Sequence, residues 1–226
     1  TTPKSPFLGH ALSIPGTIEA EHFDNGSDGI SYHDKDRQNR GEGYRLETGV
    51  DVYALKDKPD EYAVGYAQKE EWLEYTVNIE NEAYYDISAI LSSGGENSGI
   101  QLLLDGETIT DMLQTTPNEN DWESYLETTT RSLTKLPKGK HTLRMNIVGD
   151  WINIDKFIFT EYDPTYVGNI DAEDIQTFEI FDVNGENYGK IVSNQHRLPY
   201  TLHEKGYARG VYVAKSAKKV IKVIVE

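Results

Sequence analysis

The chain has 226 residues, with 22 Lys and Arg against 38 Asp and Glu and a net charge of −16 at pH 7. A surface this acidic repels polyphosphate, so the composition argues against nucleic acid as a partner and suits a neutral ligand or a cation. Cysteine is absent, which excludes disulfides, thiolate metal sites and a cysteine nucleophile. No apolar run approaches the roughly 20 residues of a membrane-spanning helix, so we expect no membrane span.

The acidic excess is confined to the first part of the chain. Residues 1–162 carry 14 Lys and Arg against 29 Asp and Glu, a balance of −15, whereas residues 163–226 carry 8 against 9, a balance of −1. This change indicates two domains, and the Pro-containing start is typical of the linker of a longer protein. We therefore predict a linker remnant at 1–13, a first domain at 14–162, a linker at 163–170 and a small domain at 171–226.

Alternation of apolar and polar residues predicts β-strands throughout the first domain. The expected strands cover 71–79, 85–91, 99–104, 128–133, 141–147 and 152–159. Asp105-Gly106 is a hairpin-type turn, and 136–140 is a second turn signal. Short strands joined by polar turns are typical of an all-β fold, either an antiparallel sandwich or a barrel.

The second domain shows the same kind of pattern on a smaller scale. Strands are expected at 177–183, 210–214 and 220–225, with a turn at Asn184-Gly185. A β-unit of this size is marginal alone. The fold class is therefore all-β, with a second, smaller all-β domain at the C-terminal end.

Catalytic motifs are missing from the sequence. It contains no Gly-x-Ser-x-Gly elbow, no phosphate-binding Gly loop and no His-Glu-x-x-His helix. Paired carboxylates hydrolyse glycosidic bonds, but the candidates Glu70, Glu71 and Glu74 begin a strand and resemble a solvated edge. We expect no enzymatic activity in these residues.

Glu19 and Glu21 form a second candidate group. At positions i and i+2 of a strand, both side chains leave the same face, and like charges in one place need a compensating cation. The alternative is two exposed strand carboxylates.

Several segments, in this order and spacing, resemble a family 6 carbohydrate-binding module. They are Ile18–Phe23, Tyr32-His33-Asp34, Gly43-Tyr44-Arg45, Gly49-Val50-Asp51, Glu71–Val77, Leu103–Gly106, Leu136–Leu143 and Ile152–Asp155. The resemblance covers about 145 residues and implies a jelly-roll β-sandwich that binds polysaccharide without catalysis.

The resemblance implies a sugar site in which two aromatic rings enclose one sugar ring and an amide completes the hydrogen bonds. By motif, the rings are Tyr44 and Trp122 and the amide is Asn153. Tyr44, in a Gly-flanked loop, could instead be a packing residue, and so could Trp122, although its neighbours are strongly hydrated. Asn153 lies between Ile152 and Ile154, so strand alternation predicts that it faces away from them and is solvated.

The ligand implied by the resemblance is a β-linked polysaccharide. β-1,4-Xylan is favoured because it is common among family members; cellulose, mixed-linkage glucan and laminarin are the alternatives. The module would hold an appended secreted hydrolase or esterase on plant cell walls, and we expect a monomer.

The resemblance also implies a structural Ca²⁺ ion. Its ligands would be Glu19, Glu21, Asp155 and a backbone carbonyl in the loop before Tyr44, placed near Asn39. Hard oxygen ligands without Cys or clustered His suit calcium better than zinc. Such an ion would join the first and last strands of the module.

The second domain loosely resembles secretion and surface-attachment modules of fibre-degrading bacteria. The matching segments are 181–185, 210–215 and 219–225, although the usual Leu-Pro-x-Gly approach is replaced by Tyr207-Ala208-Arg209-Gly210. The alternative is an accessory module whose basic strand contacts other molecules through Lys215, Lys218, Lys219 and Lys222. Both interpretations predict a secreted, extracellular protein, with attachment to the cell surface as one option.

Overall fold

The computed structural model describes residues 2–41, 44–56, 58–95, 97–118, 121–162, 176–193, 198, 201–202, 205–217 and 220–225. The chain forms two compact units, Thr1–Tyr162 and Asp163–Glu226. Both are built from strands, which confirms the all-β prediction. Within the described ranges, no helix has the length and apolar character needed to cross a membrane.

The first unit contains strands β1 to β13 and a 3-10 turn, Ala20–His22, between β2 and β3. The strand bounds are β1 Leu12–Ile14, β2 Gly16–Glu19, β3 Tyr32–His33, β4 Val52–Leu55, β5 Lys58–Ala67, β6 Trp72–Ile79, β7 Tyr85–Ser93, β8 Gly99–Leu104, β9 Glu107–Thr108, β10 Leu113–Gln114, β11 Leu126–Arg131, β12 Gly139–Ile147 and β13 Ile152–Glu161.

These strands form the two sheets of a sandwich. One sheet has the order β1-β6-β12-β8-β10, with β3 beside β6 and β9 beside β8. The other has the order β11-β7-β13-β5-β4, with β2 beside β13. The pairs are antiparallel apart from β1, which runs parallel to β6. The predicted antiparallel β-sandwich is confirmed.

Side chains from both sheets meet in one apolar core. On β6 the buried residues include Tyr75, Val77 and Ile79, in the predicted alternation. The Tyr75 ring meets the edge of Phe157 on β13, with centroids 6.1 Å apart, so the two sheets contact each other directly. Burying a side chain of this size stabilises the fold by roughly 1.5–3 kcal/mol.

Alternation breaks down at the start of β13, where Ile152, Asn153, Ile154 and Asp155 are all buried. The register shifts between Ile152 and Ile154 against β5, and between Ile154 and Lys156 against β7. Such β-bulges re-aim side chains that a regular strand would point to solvent. The prediction that Asn153 is solvated is wrong, because its amide bonds to the backbones of Tyr66 and Trp122 and its side chain is only 6% exposed.

The N-terminal residues pack on the sandwich. Ser5 and Asn25 exchange two backbone hydrogen bonds of 3.1 and 2.8 Å, and Lys4 Nζ donates to Glu74 Oε2 at 2.6 Å. Strand β1 extends the first sheet alongside β6. The segment 1–13, predicted as a linker remnant, is thus part of the first unit from Lys4 onward.

The second unit is a four-stranded antiparallel sheet with its own core. Its strands are β14 Gln176–Asp182, β15 Asn187–Ser193, β16 Gly210–Lys215 and β17 Val220–Val225, in the order β15-β14-β16-β17. Its core includes Phe178, Ile180 and Tyr212. The predicted linker 163–170, the predicted start of this domain at 171, and Lys218 and Lys219 lie outside the described residues.

Candidate functional site

A cavity of about 990 Å³ opens in the first unit where β4, β5 and β13 meet the loop before β11. Trp122 and Asn153, both predicted as sugar-binding residues, line it together. The lining residues are Arg40, Gly41, Tyr53, Ala54, Tyr66, Trp122, Glu123, Trp151 and Asn153. The volume lies at the upper end of the roughly 300–1,000 Å³ range of small-molecule sites.

Three large rings in this cavity are open to solvent. Tyr66 is 53% exposed, Trp151 46% and Trp122 37%. Exposed aromatic rings gathered in one concavity are unusual, because each retains much of the apolar surface that folding would otherwise bury. Such a group is typical of a binding surface.

Tyr66 owes its outward direction to a bulge near the end of β5. Ala67 pairs with Ile152 and Val64 with Ile154, so Gly65 and Tyr66 together stand opposite Asn153. The extra residue places Tyr66 at φ +51°, in the left-handed region that non-glycine residues seldom adopt. Its ring consequently faces the cavity, where a regular strand would place it on the same side as buried Val64.

Gly65 permits this arrangement. A Cβ at this position would overlap the Tyr53 ring and approach Asn153 Oδ1 to 3.0 Å. The dipeptide Gly65-Tyr66 is the functional signal that sequence analysis missed. Glycine inside a strand often marks a bulge or a close backbone approach.

The Asn153 amide joins the backbones of two ring-bearing residues. Its Oδ1 accepts the Tyr66 N–H at 3.2 Å, and its Nδ2 donates to the Trp122 carbonyl at 3.3 Å. The side chain is only 6% exposed, yet it lines the cavity. An amide has two donor hydrogens and two acceptor lone pairs, so one of each remains for a ligand. We call Tyr66, Trp122 and Asn153 the ring clamp.

Trp122 is supported from behind. Its carbonyl also accepts from Ser92 Oγ at 2.7 Å, and its indole packs so closely on Gly94 that a Cβ there would overlap the ring. The loop is closed by the Ser124 N–H, which donates to the Asp121 carbonyl at 3.2 Å. These contacts hold one face of the indole and leave the rest toward the cavity. Glu119 and Asn120, which precede this loop, lie outside the described residues.

The structure does not bring Tyr44 into this cavity. Its ring stacks on Tyr62, with centroids 4.2 Å apart and an interplanar angle of 17°, and meets the edge of Phe7 at 6.0 Å. It is half-buried against the core, which corresponds to the packing alternative. Tyr44 is therefore not among the described residues that line the cavity with Trp122, whereas Tyr66 is. Gly43 lies outside the described residues.

The charged groups of the cavity have different surroundings. Arg40 Nη2 forms a 2.8 Å ion pair with Asp36 Oδ2. Glu123 is the single carboxylate among the described lining residues, whereas glycoside hydrolysis by the usual mechanisms needs two. Tyr53 and Tyr125 share a hydrogen bond between their hydroxyls, and burial raises the pKa of both well above the usual value. Both phenols are consequently neutral, and one donates to the other.

The predicted metal ligands Glu19, Glu21, Asn39 and Asp155 are not among the described lining residues of this cavity. Glu19 ends β2 and Glu21 stands in the 3-10 turn, so the two do not lie two apart in one strand, as the sequence analysis assumed. Even so, Glu21 Oε2 and Asp155 Oδ1 are both buried without a hydrogen-bond partner. Burial raises the pKa of Glu21 to about 8, with the Glu19 and Asp155 charges adding to the rise, and burial also raises the pKa of Asp155.

These orphaned oxygens fit a cation-binding role, since buried carboxylates of one sign need a counter-charge. Lys156 Nζ, 3.5 Å from both Glu19 Oε2 and Asp155 Oδ2, supplies part of it. Among the described residues, no group of three or more His, Asp or Glu is assembled as a metal site. The donors present are hard oxygens, of the type calcium prefers.

Asn39 can contribute to such a site only through its backbone. Its Nδ2 donates to the carbonyls of Tyr44 and Arg45 at 3.0 and 3.2 Å, and its Oδ1 accepts from the N–H groups of Gly41 and Val52 at 2.8 and 3.2 Å. The side chain thus makes the two donor and two acceptor hydrogen bonds that an amide can make, and these bonds fix the loop. A backbone carbonyl is what the sequence analysis assigned to this position.

Comparison with known proteins agrees with this architecture. Residues 40–161, more than half of the chain, match the sequence model of the carbohydrate binding module (family 6). No curated protein sequence matches significantly.

Similar solved structures have low sequence identity to this chain. One is a family 6 carbohydrate-binding module studied by sub-site dissection, with a TM-score of 0.51 and 21% identity, covering 70% of this chain and 100% of that one. Another is a module from Clostridium stercorarium with cellobiose, with a TM-score of 0.49 and 17% identity, covering 68% of this chain and 99% of that one. A third, from Clostridium cellulolyticum with xylose, has a TM-score of 0.48 and 18% identity, covering 66% of this chain and 100% of that one.

The matched residues contain all three members of the ring clamp, and the fold agrees with that of a solved module. The chain belongs to carbohydrate-binding module family 6, a family of non-catalytic binding modules.

Proposed function

We propose that the ring clamp binds one residue of a neutral β-linked polysaccharide, with β-1,4-xylan as the ligand. The observation that carries the proposal is the Asn153 amide, which hydrogen-bonds both to Tyr66 and to Trp122 while lining the same cavity as their exposed rings. Two rings and an amide are thereby held in one fixed arrangement before a ligand arrives.

The chemistry of the clamp suits a sugar ring. A pyranose has an apolar C–H face that stacks on an aromatic ring, and hydroxyls that need in-plane donors and acceptors. Aromatic side chains lose little conformational entropy on binding, because they have few rotatable bonds. Two rings and one amide correspond to micromolar to millimolar affinity, roughly −4 to −8 kcal/mol.

Charge favours a neutral glycan over an acidic one. The first 162 residues carry a balance of −15, 14 Lys and Arg against 29 Asp and Glu, and Glu123 adds a carboxylate inside the cavity. Arg40, the one cation among the described lining residues, is already paired with Asp36. A uronate-rich polysaccharide would meet net repulsion, whereas unsubstituted xylan would not.

The proposed biological role is to hold an appended secreted hydrolase or esterase on plant cell-wall polysaccharide. Outside the cell, calcium would be held by Glu21, Asp155 and Glu19 with a backbone carbonyl near Asn39. When bound, calcium would neutralise the buried carboxylates. Because Asp155 stands two residues from Asn153, the same bulged stretch of β13 would carry both the metal ligand and the sugar anchor.

The test is binding to xylan by affinity electrophoresis and calorimetry. Trp122→Ala and Tyr66→Ala should each abolish retention, while Tyr84→Ala should not, because Tyr84 is an exposed tyrosine outside the cavity lining. Thermal melts of all three variants control for unfolding. Retained binding by both clamp variants would exclude this cavity as the site.

A further inference from the structure

Trp151 is a third exposed ring in the cavity, and it lies outside the ring clamp. Both hydrogen bonds of the Asn153 amide go to Tyr66 and Trp122, so the clamp is complete without it. Its indole is nevertheless 46% exposed within the same concavity. An indole exposed to this degree is an apolar surface that a ligand would cover.

The backbone of Trp151 is unusual for a bulky residue. It has φ +66°, a left-handed conformation that glycine adopts freely and bulky side chains rarely do. Strained residues of this kind persist when the surrounding structure fixes them, and they gather at ligand clamps. A tryptophan where the backbone favours glycine indicates that the indole serves a purpose other than folding.

Neighbouring groups fix the backbone that carries this indole. The Trp151 N–H donates to the Ala67 carbonyl at 2.9 Å, and its carbonyl accepts from Ser93 Oγ at 3.2 Å. Just before it, the Asp150 side chain accepts the Lys69 N–H at 2.9 Å. With both backbone groups bonded, the ring is presented from a rigid support.

The position of Trp151 relative to the clamp is set by strand pairing. Ala67, whose carbonyl holds Trp151, directly follows Tyr66, and it is the partner of Ile152. Trp151 immediately precedes β13 and Tyr66 stands one residue before the end of β5, so both line the cavity where these two strand ends pair. At about 990 Å³ the cavity has more room than one sugar ring fills.

From this arrangement we propose that Trp151 is a further stacking platform, which binds a sugar residue next to the one held by the ring clamp. The inference rests on the proposed function and deepens it: the ligand is at least two consecutive residues of a linear, neutral, β-linked chain. A monosaccharide fills the clamp without reaching Trp151. Affinity therefore rises from monosaccharide to disaccharide, and the indole of Trp151 supplies that rise.

The experiment compares ligand length with the presence of the indole. Xylose, xylobiose, xylotriose and xylotetraose are titrated into the whole chain and into Trp151→Gly by calorimetry, with NMR titration for xylose. Glycine removes the ring and accepts φ +66° without strain, so the melting temperature should not fall. We expect about a tenfold loss of affinity for the oligosaccharides, equivalent to about 1.4 kcal/mol, and less than about twofold for xylose.

Trp122→Ala is the matched control, because it removes a clamp ring and should weaken every ligand, xylose included. Equal affinity of wild type and Trp151→Gly for all oligosaccharides would overturn the third platform while leaving the proposed function intact. An equal loss for xylose and xylotetraose would overturn it too, since Trp151 would then only position the clamp. If the wild type bound no member of the series, nor the matching cello-oligosaccharides, the proposed function itself would fail.

Discussion

Replacing Asn153 by alanine removes the amide that joins the two rings of the clamp. The change deletes the hydrogen bonds to the Tyr66 N–H and to the Trp122 carbonyl, each from a buried side chain. The Trp122 carbonyl keeps its 2.7 Å bond from Ser92 Oγ, so the unpaired group is the Tyr66 N–H. Tyr66 sits at a bulge with positive φ, so losing this hydrogen bond removes support from an unfavourable backbone conformation.

The size of the effect follows from these contacts. A typical internal hydrogen bond contributes about 0.5–1.5 kcal/mol, so losing two should lower the free energy of unfolding of the first unit by about 1–3 kcal/mol. For a unit of 150–250 residues, a loss of about 2 kcal/mol corresponds to a fall in melting temperature of about 4–8 °C. Affinity for xylotetraose should fall at least about tenfold, because the sugar loses a hydrogen-bonding group and both rings lose their shared support.

Thermal melts and calorimetry on Asn153→Ala, Ser92→Ala and the double variant measure both effects. Ser92→Ala removes a bond to Trp122 alone and should weaken binding less than Asn153→Ala. Because both side chains donate to the same carbonyl, the two losses should not add in the double variant. An Asn153→Ala variant with unchanged melting temperature and unchanged affinity would refute the assignment of the amide as the centre of the clamp.

Three further outcomes are expected. Chelation of calcium with EGTA should lower both the melting temperature of the wild type and its affinity for xylotetraose. The same treatment should leave Glu21→Gln unchanged. If chelation changes neither quantity in the wild type, the metal site is contradicted. Burial raises the pKa of Asp34 to about 7, and the charge of Glu71 adds to the rise. The folded protein therefore holds this proton more tightly than the unfolded chain does. The contribution of Asp34 to the free energy of unfolding is largest near and below pH 4 and is lost as the pH rises through 7. Asp34→Asn should therefore flatten the fall in stability between pH 4 and 8 in urea titrations, and an equally steep fall would count against the burial of this carboxyl. Gly94→Ala should displace the Trp122 indole and weaken xylotetraose binding about tenfold, whereas an affinity equal to wild type would show that the ring does not rest on Gly94.

The regular parts of the sandwich were predictable from sequence. Strands β6, β7 and β12 have one face in the core, so apolar residues recur at every second position and alternation identifies them. Strand β5 was not predicted, because it begins with charged residues and its buried positions include Ala63 and Gly65, which give little hydrophobic signal. Strand β11, at Leu126–Arg131, was predicted at 128–133, two residues too late, which is a normal error at strand ends.

The functional residues were harder to predict because they stand where the period of two breaks. Counting outward from buried Val64, alternation places Tyr66 inside; counting from Ile152 and Ile154, it places Asn153 outside. The bulge between β5 and β13 turns Tyr66 to the cavity. Asn153 lines the same cavity, but its amide bonds to Tyr66 and Trp122 and its side chain is only 6% exposed. Trp122 escaped this difficulty, since it lies in a polar loop where alternation does not apply.

Tyr44 and Tyr66 show which sequence feature distinguishes a packed tyrosine from one that lines the cavity. Both tyrosines follow a glycine, and motif order alone selected Tyr44, whose ring packs on Tyr62. Gly65 lies inside β5, where a Cβ would overlap Tyr53 and crowd the Asn153 amide. Close packing near the end of β5 requires a glycine at this position, which indicates the bulge. The bulge in turn exposes the Tyr66 ring. The Gly65-Tyr66 pair within β5 therefore marks the ring of the proposed sugar platform.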